Sequence, residues 1–219
     1  MTESQAREEI CRVGQSLYQR GYVHASAGNI SVRLDDGILI TPTDACLGRL
    51  DPATLSWVGL DGVQRSGAQA SKTITLHRMI YQAATPFDPA TRCVIHTHST
   101  HSVALTLVRH EAELLPPLTP YFVMKVGHVP LIPYHRPGSP DAAEEVARQI
   151  TRYGENGRPI RAVMLSRLGP NVWHESPAAA MAVLEELEET ARLALRVPEA
   201  PPLGDAQIDE LRHTFGARW

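Results

Sequence analysis

Cys93-Val-Ile-His96-Thr-His98-Ser-Thr-His101 is the stretch from which the rest of the chain is best read. Its first residues are apolar and compact, as in a buried strand, and Thr100–Arg109 after it has the character of a helix. On an extended segment alternate residues share a side, so His96 and His98 converge while Thr97 points away. Two neutral imidazoles on one side form half of a transition-metal site. A polar strand end would carry the same residues, so the pair needs support from elsewhere.

Outward from this stretch, helix and strand patterns alternate. Residues 4–20 place Ile10, Val13 and Leu17 on one helical face. Ile30–Leu34 and Gly37–Thr41 flank Asp35-Asp36-Gly37, a hairpin signal. Leu55–Leu60 reads as a strand and Lys72–Ala84 as a helix. Val129–Ile132 and Ala162–Leu165 read as strands with a helix over Asp141–Tyr153 between them, and Val172–Trp173 as a partner strand. Ser176-Pro177 opens a long helix to Leu195, with Ser as N-cap and Pro at the first helical position. The expected fold is α/β, a three-layer α/β/α sandwich around a mostly antiparallel sheet. Residues 1–197 form one domain. The proline-rich Val197–Gly204 then leads into a tail over 198–219, with a short helix capped by Asp205.

Composition narrows the function. The 219 residues carry 21 basic and 24 acidic groups, net -3, with no long run of either sign, so neither nucleic acid nor an anionic membrane is expected as a partner. No apolar stretch approaches the roughly 18 residues of a membrane span, and the start is polar rather than signal-like. Three cysteines without CxxC spacing fit a reduced, cytoplasmic chain. Only Lys72 and Lys125 could form a Schiff base.

Three further segments carry small donors: Ser26-Ala-Gly28-Asn29-Ile-Ser31, Thr41-Pro-Thr43-Asp44 and Ala70-Ser71-Lys72. Ser71-Lys72 stands at the start of the expected helix, where free N–H groups and the dipole favour an anion and Lys72 adds a full charge. Each segment alone also reads as an ordinary turn or cap.

Taken in order, Gly-Asn-Ile-Ser, Thr-Pro-Thr, Ser-x-x-x-x-Leu-His77, His96-x-His98 and Leu168-Gly169-Pro170 resemble the class II aldolase/adducin family over residues 5–196. Tyr121–Pro137 and Leu184–Leu193 resemble its 3-oxo-tetronate 4-phosphate decarboxylase branch. The resemblance implies a divalent metal, zinc by preference, on a histidine triad that includes His96 and His98. It implies a phosphate pocket of Ser26, Asn29, Thr43, Asp44, Ser71 and Lys72, and a homotetramer with sites at subunit contacts. Tyr121 falls where the aldolases lend a tyrosine acid to a neighbouring subunit.

Two positions depart from the family pattern. Thr73 stands where the family has a glutamate acid/base, and Leu168 where it has the third metal histidine. His128 is the first candidate to complete the metal site, with His101 as the alternative and His135 behind them. Loss of a positioned acid/base group is expensive for aldol cleavage, at about 10²–10⁴-fold. It costs less for decarboxylation of a β-keto acid, which mainly needs the enolate oxygen stabilised. The expected activity is a metal-assisted lyase on a small phosphorylated keto acid or sugar, with Tyr121 and Thr73 in the catalytic positions. The alternative is a catalytically altered, adducin-like assembly protein. Of the remaining histidines, His77 reads as a buried hydrogen-bonding residue, and His24, His110, His174 and His213 as loop or surface. Glu185, Glu186, Glu188 and Glu189 read as a solvated helix face.

Overall fold

The structure, a computed structural model, describes residues 1–108 and 111–219. Eight strands form one mixed sheet: β1 Asn29–Arg33, β2 Gly37–Ile40, β3 Ser56–Gly59, β4 Gln64–Ser66, β5 Cys93–His96, β6 Leu131–Ile132, β7 Ala162–Leu165 and β8 Gly169–His174. Their order is β4-β3-β2-β1-β5-β8-β7-β6, and every pairing is antiparallel except that of β6 with β7. Among the described residues six α-helices accompany them: α1 Glu3–Gln19, α2 Ile74–Ala84, α3 Thr100–Val108, α4 Pro140–Glu155, α5 Pro177–Arg196 and α6 Asp205–Phe215. A π-helical turn spans Phe122–Val126. No helix among the described residues is long and apolar enough to cross a membrane.

Strands β5 and β7 are buried on both faces, so they read as continuous apolar runs rather than alternating ones. The side chains of the sheet still divide with period two. Ile30, Ile95, Met164 and Val172 pack with Ile10 and Leu17 of α1, Leu105 of α3 and Leu184 of α5. Val94, Val163 and Trp173 pack with Ile80 and Tyr81 of α2 and Val146 of α4. On this second face the Ser31 hydroxyl lies 2.7 Å from His77 Nδ1 and 2.8 Å from the Tyr81 hydroxyl. One small polar residue in β1 thereby ties down α2.

Several expectations need correction. The edge strand β4 carries only exposed polar residues and gives no hydrophobic signal. Helix α2 begins at Ile74, not Lys72, because Ser71 first closes a turn in which its carbonyl accepts from Ile74 N–H. The N-cap of α6 is Gly204, whose N–H donates to Gln207 Oε1, and not Asp205. The end of the chain is anchored: Ile208 and Leu211 are buried, and Trp219 stacks on His128 with ring centroids 4.2 Å apart. Glu188 does not belong to a solvated face. It is 3% exposed and accepts from the N–H groups of His101 and Ser102, the Ser102 hydroxyl and His101 Nδ1. That buried carboxylate closes the N-terminus of α3, where free donors and dipole favour an anion. Leu193, further along the same helix, is exposed. Arg109, the expected last residue of α3, and His110 lie outside the described residues.

Candidate active site

At the end of β5 the chain leaves the sheet, and segments from five connections close over that exit. Ser26–Asn29 leads into β1, Pro42–Asp44 follows β2, and Ser71–Thr73 leads into α2. Arg136–Pro140 leads into α4, and Leu168 lies in the β7–β8 turn. Together with His96 and His98 they line one cleft of about 310 Å³. Thus Ser26, Asn29, Thr43, Asp44, Ser71, Lys72 and Thr73, drawn from three separate sequence motifs, share one cavity with both histidines. The Thr73 hydroxyl lies 2.9 Å from Ser71 Oγ, in the turn before α2.

The histidine rings meet edge to face, with centroids 5.1 Å apart and planes at 67°. His96 Nδ1 donates to the Pro170 carbonyl at 2.9 Å, which fixes the tautomer and leaves the Nε2 lone pair as the basic position. Burial, with His98 as a second cause, pushes the His96 pKa down to about 4, so the ring is neutral near pH 7. His98 is shifted downward too, by burial and then by His24, whose ring lies 6.4 Å away. No motif pointed to His24 as a neighbour of this site. Strand pairing sets Asn29 opposite His96 and His96 opposite Asn171, so all three point to the α2 side of the sheet. All three are at least nine-tenths buried.

Backbone approach is tight here. A Cβ on Gly169, at φ +144°, would lie 1.9 Å from the Thr97 carbonyl oxygen. A Cβ on Gly28, at φ +85°, would lie 2.9 Å from that of His96. The two glycines let neighbouring segments press onto the His96–His98 backbone.

Two expected members stand elsewhere. His128 lines a different cavity, with Glu113 and Tyr153. Its Nδ1 bonds the Glu113 carboxylate at 2.9 Å and its face is covered by Trp219, so it is committed to that cluster rather than to the His96–His98 pair. Tyr121 is 62% exposed and does not line the cleft of its own chain. His101, the alternative third ligand, is bonded to Glu188. Arg136 and Ser139, by contrast, do line the cleft, although their loop lacks a distinctive motif.

The donors present match two ligands of a metal centre and no more. His96 and His98 are neutral imidazoles, but a catalytic zinc usually has three protein ligands. No group of three or more His, Cys, Asp or Glu residues able to hold a metal occurs among the described residues. Leu168, which lines the cleft, cannot coordinate. The family's three-histidine centre is therefore not built by this chain's own described residues.

Comparison with known proteins agrees with this architecture. The family model for the Class II Aldolase and Adducin N-terminal domain matches residues 8–195. A curated relative from Cupriavidus necator, named 3-oxo-tetronate 4-phosphate decarboxylase, is 54% identical over 100% of this chain and 99% of its own. The crystal structure of YgbL from Escherichia coli superposes with TM-score 0.86 at 40% identity, covering 96% of this chain and 99% of that one. That of L-fuculose-1-phosphate aldolase from Thermus thermophilus gives 0.74 at 27% identity, covering 90% and 98%. The protein belongs to the class II aldolase/adducin family.

Proposed function

We propose that the protein is a carbon–carbon lyase that decarboxylates a small phosphorylated β-keto acid of the 3-oxo-tetronate 4-phosphate type. The observation that carries this reading is the convergence of the Ser26–Asn29, Thr43–Asp44 and Ser71–Lys72 segments on the cleft that holds His96 and His98. Ser26, Asn29, Thr43, Ser71 and Lys72 hold the phosphate through hydroxyl, amide and ammonium donors. In the reaction the bond from the carboxylate carbon to the α-carbon breaks, its electron pair passes to the ketone oxygen, and a proton then returns to the α-carbon. The chain must stabilise charge on that oxygen, which the Thr73 hydroxyl and the neutral His98 ring can do by donating hydrogen bonds. No carboxylate base is required, which suits Thr73 at the family's glutamate position.

The reading extends to a homotetramer in which Tyr121, exposed on its own subunit, donates a proton in a neighbour's cleft. It also takes residues 1–197, in a three-layer α/β/α arrangement, as the catalytic domain and 198–219 as its tail, in a cytoplasmic enzyme. A divalent ion, zinc by preference, would have His96 and His98 as its protein ligands and would polarise the ketone. With two such ligands it would be held weakly.

The test is CO₂ release from a 3-oxo-tetronate 4-phosphate by purified protein, with and without added zinc. Turnover that depends on Lys72 is expected; no turnover under either condition overturns the reading. One observation favours a second reading, a catalytically altered relative: Thr73 and Leu168, the two departures, both line the cleft. Metal binding and activity that appear only in a Thr73→Glu/Leu168→His double variant would establish it.

A further inference from the structure

The proposed phosphate end accounts for one anion, and the cleft presents a second cation in a different place. Arg136 lies on the loop between β6 and α4 and lines the cleft from an exposed position at its rim. Among the described residues neither Arg136 nor Lys72 is in an ion pair, and Asp44 is the one acidic side chain lining the cleft. Across the sheet, Ser26–Asn29 enters β1, Thr43–Asp44 follows β2, and Ala70-Ser71 bonds beside Pro42 and Thr41 at the end of β2, while the histidines belong to β5. The Arg136 loop leaves β6, beyond β8 and β7. The histidines thus lie between the two cations in strand order, with Leu165 and Leu168 lining the intervening part of the cleft. Ser139, the N-cap of α4, makes no capping bond with its side chain and lines the cleft beside Arg136. The start of α4 adds a favourable dipole to the guanidinium charge.

We infer that Arg136 is the carboxylate-recognising residue, so that the cleft selects ligands with an anion at each end over phosphorylated sugars with one. A guanidinium fork matches a carboxylate in two parallel hydrogen bonds, which an ammonium cannot reproduce. The inference rests on the decarboxylase reading for the identity of the ligand. It adds a direction to the energetics. The carboxylate loses its charge as CO₂ departs, so Arg136 grips the ground state more firmly than the transition state. Its removal therefore weakens binding more than turnover.

The experiment compares wild type, Arg136→Met and Arg136→Lys. Arg136 is exposed and unpaired among the described residues, so the variants are expected to fold, and circular dichroism checks this. Arg136→Met should raise KM for 3-oxo-tetronate 4-phosphate by about 10–100-fold, the scale of hydrogen bonds to a charged group, and change kcat by less than about threefold. Arg136→Lys should fall between. An unchanged KM, or a loss confined to kcat, overturns the assignment. Calorimetric titration separates this from the decarboxylase reading, using inorganic phosphate and the reduced 3-hydroxy-tetronate 4-phosphate, which has both anions and cannot lose CO₂ in this way. If wild type shows no turnover, the decarboxylase reading fails alone. Arg136→Met should still weaken the two-anion ligand at least about tenfold while leaving phosphate binding unchanged. Equal affinity of wild type and Arg136→Met for the two-anion ligand overturns the inference.

Discussion

His96 Nδ1 lies 2.9 Å from the carbonyl oxygen of Pro170, one residue beyond Gly169 and two beyond Leu168. This bond orients the ring and joins β5 to the start of β8, beside the turn that carries Leu168. The imidazole is thus held with Nε2 free, as a ligand would be, next to an apolar leucine.

On the proposed reading, Leu168→His supplies a third imidazole to the His96–His98 pair. It should raise zinc affinity by at least about tenfold over wild type, given that catalytic sites use three protein ligands. Competition with a chromophoric chelator measures this. No gain would mean that the turn places residue 168 too far from His96 and His98.

Gly169→Ala puts a methyl group where the Thr97 carbonyl oxygen already stands, 1.9 Å from the Cβ position, at a φ that side chains rarely adopt. The expected cost is about 2–4 kcal/mol in urea unfolding, from overpacking and backbone strain together. Zinc binding should weaken as well, since the displaced Thr97 carries the His96–His98 segment.

Glu188 holds the first residues of α3 through backbone and side-chain hydrogen bonds at 2.6–2.9 Å. Glu188→Ala strands buried donors at a helix start and should cost about 2–4 kcal/mol. Hydrogen exchange in residues 98–103 should rise more than in β7, because the loss is local. Uniform acceleration across the sheet would contradict this account.

Burial, with His96 as a second cause, pushes the His77 pKa down to about 3, against 6.5 for an ordinary histidine. The unfolded chain then binds a proton that the folded chain does not. His77's stabilising contribution is complete above pH 6.5 and is lost as pH falls toward 3. The slope is about 1.4 kcal/mol per pH unit within that window. Denaturant titrations between pH 7 and pH 5 read the combined slope of His77 and the similarly buried His96, and NMR of the His77 ring tests the site. A His77 resonance that titrates near pH 6.5 would refute the assignment.

Most of the sheet could be read from local pattern. The span Ala162–Leu165 matches the observed strand and the start of the Cys93–His101 stretch matches β5, because a strand covered on both faces is a short unbroken apolar run. The polar edge strand β4 has no such run. Glu188 was legible in principle: it lies four residues after Leu184 on the buried face of α5. A carboxylate normally signals solvent, and only its partners on α3 explain its burial. His128 failed for the converse reason, since nothing local announces Glu113, 15 residues earlier, or Trp219 at the far end of the chain.

Strand and helix spacing, the His96–His98 pair and the small-donor segments were all written in the chain, because period and residue chemistry are local properties. Which of these meet was settled only on folding. Strand order brings the small-donor segments, the histidines and Arg136 to one cleft, and leaves His128 and Tyr121 outside it. That choice depends on contacts between residues far apart in the chain, and such contacts are fixed by packing two apolar faces of one sheet rather than by any local motif.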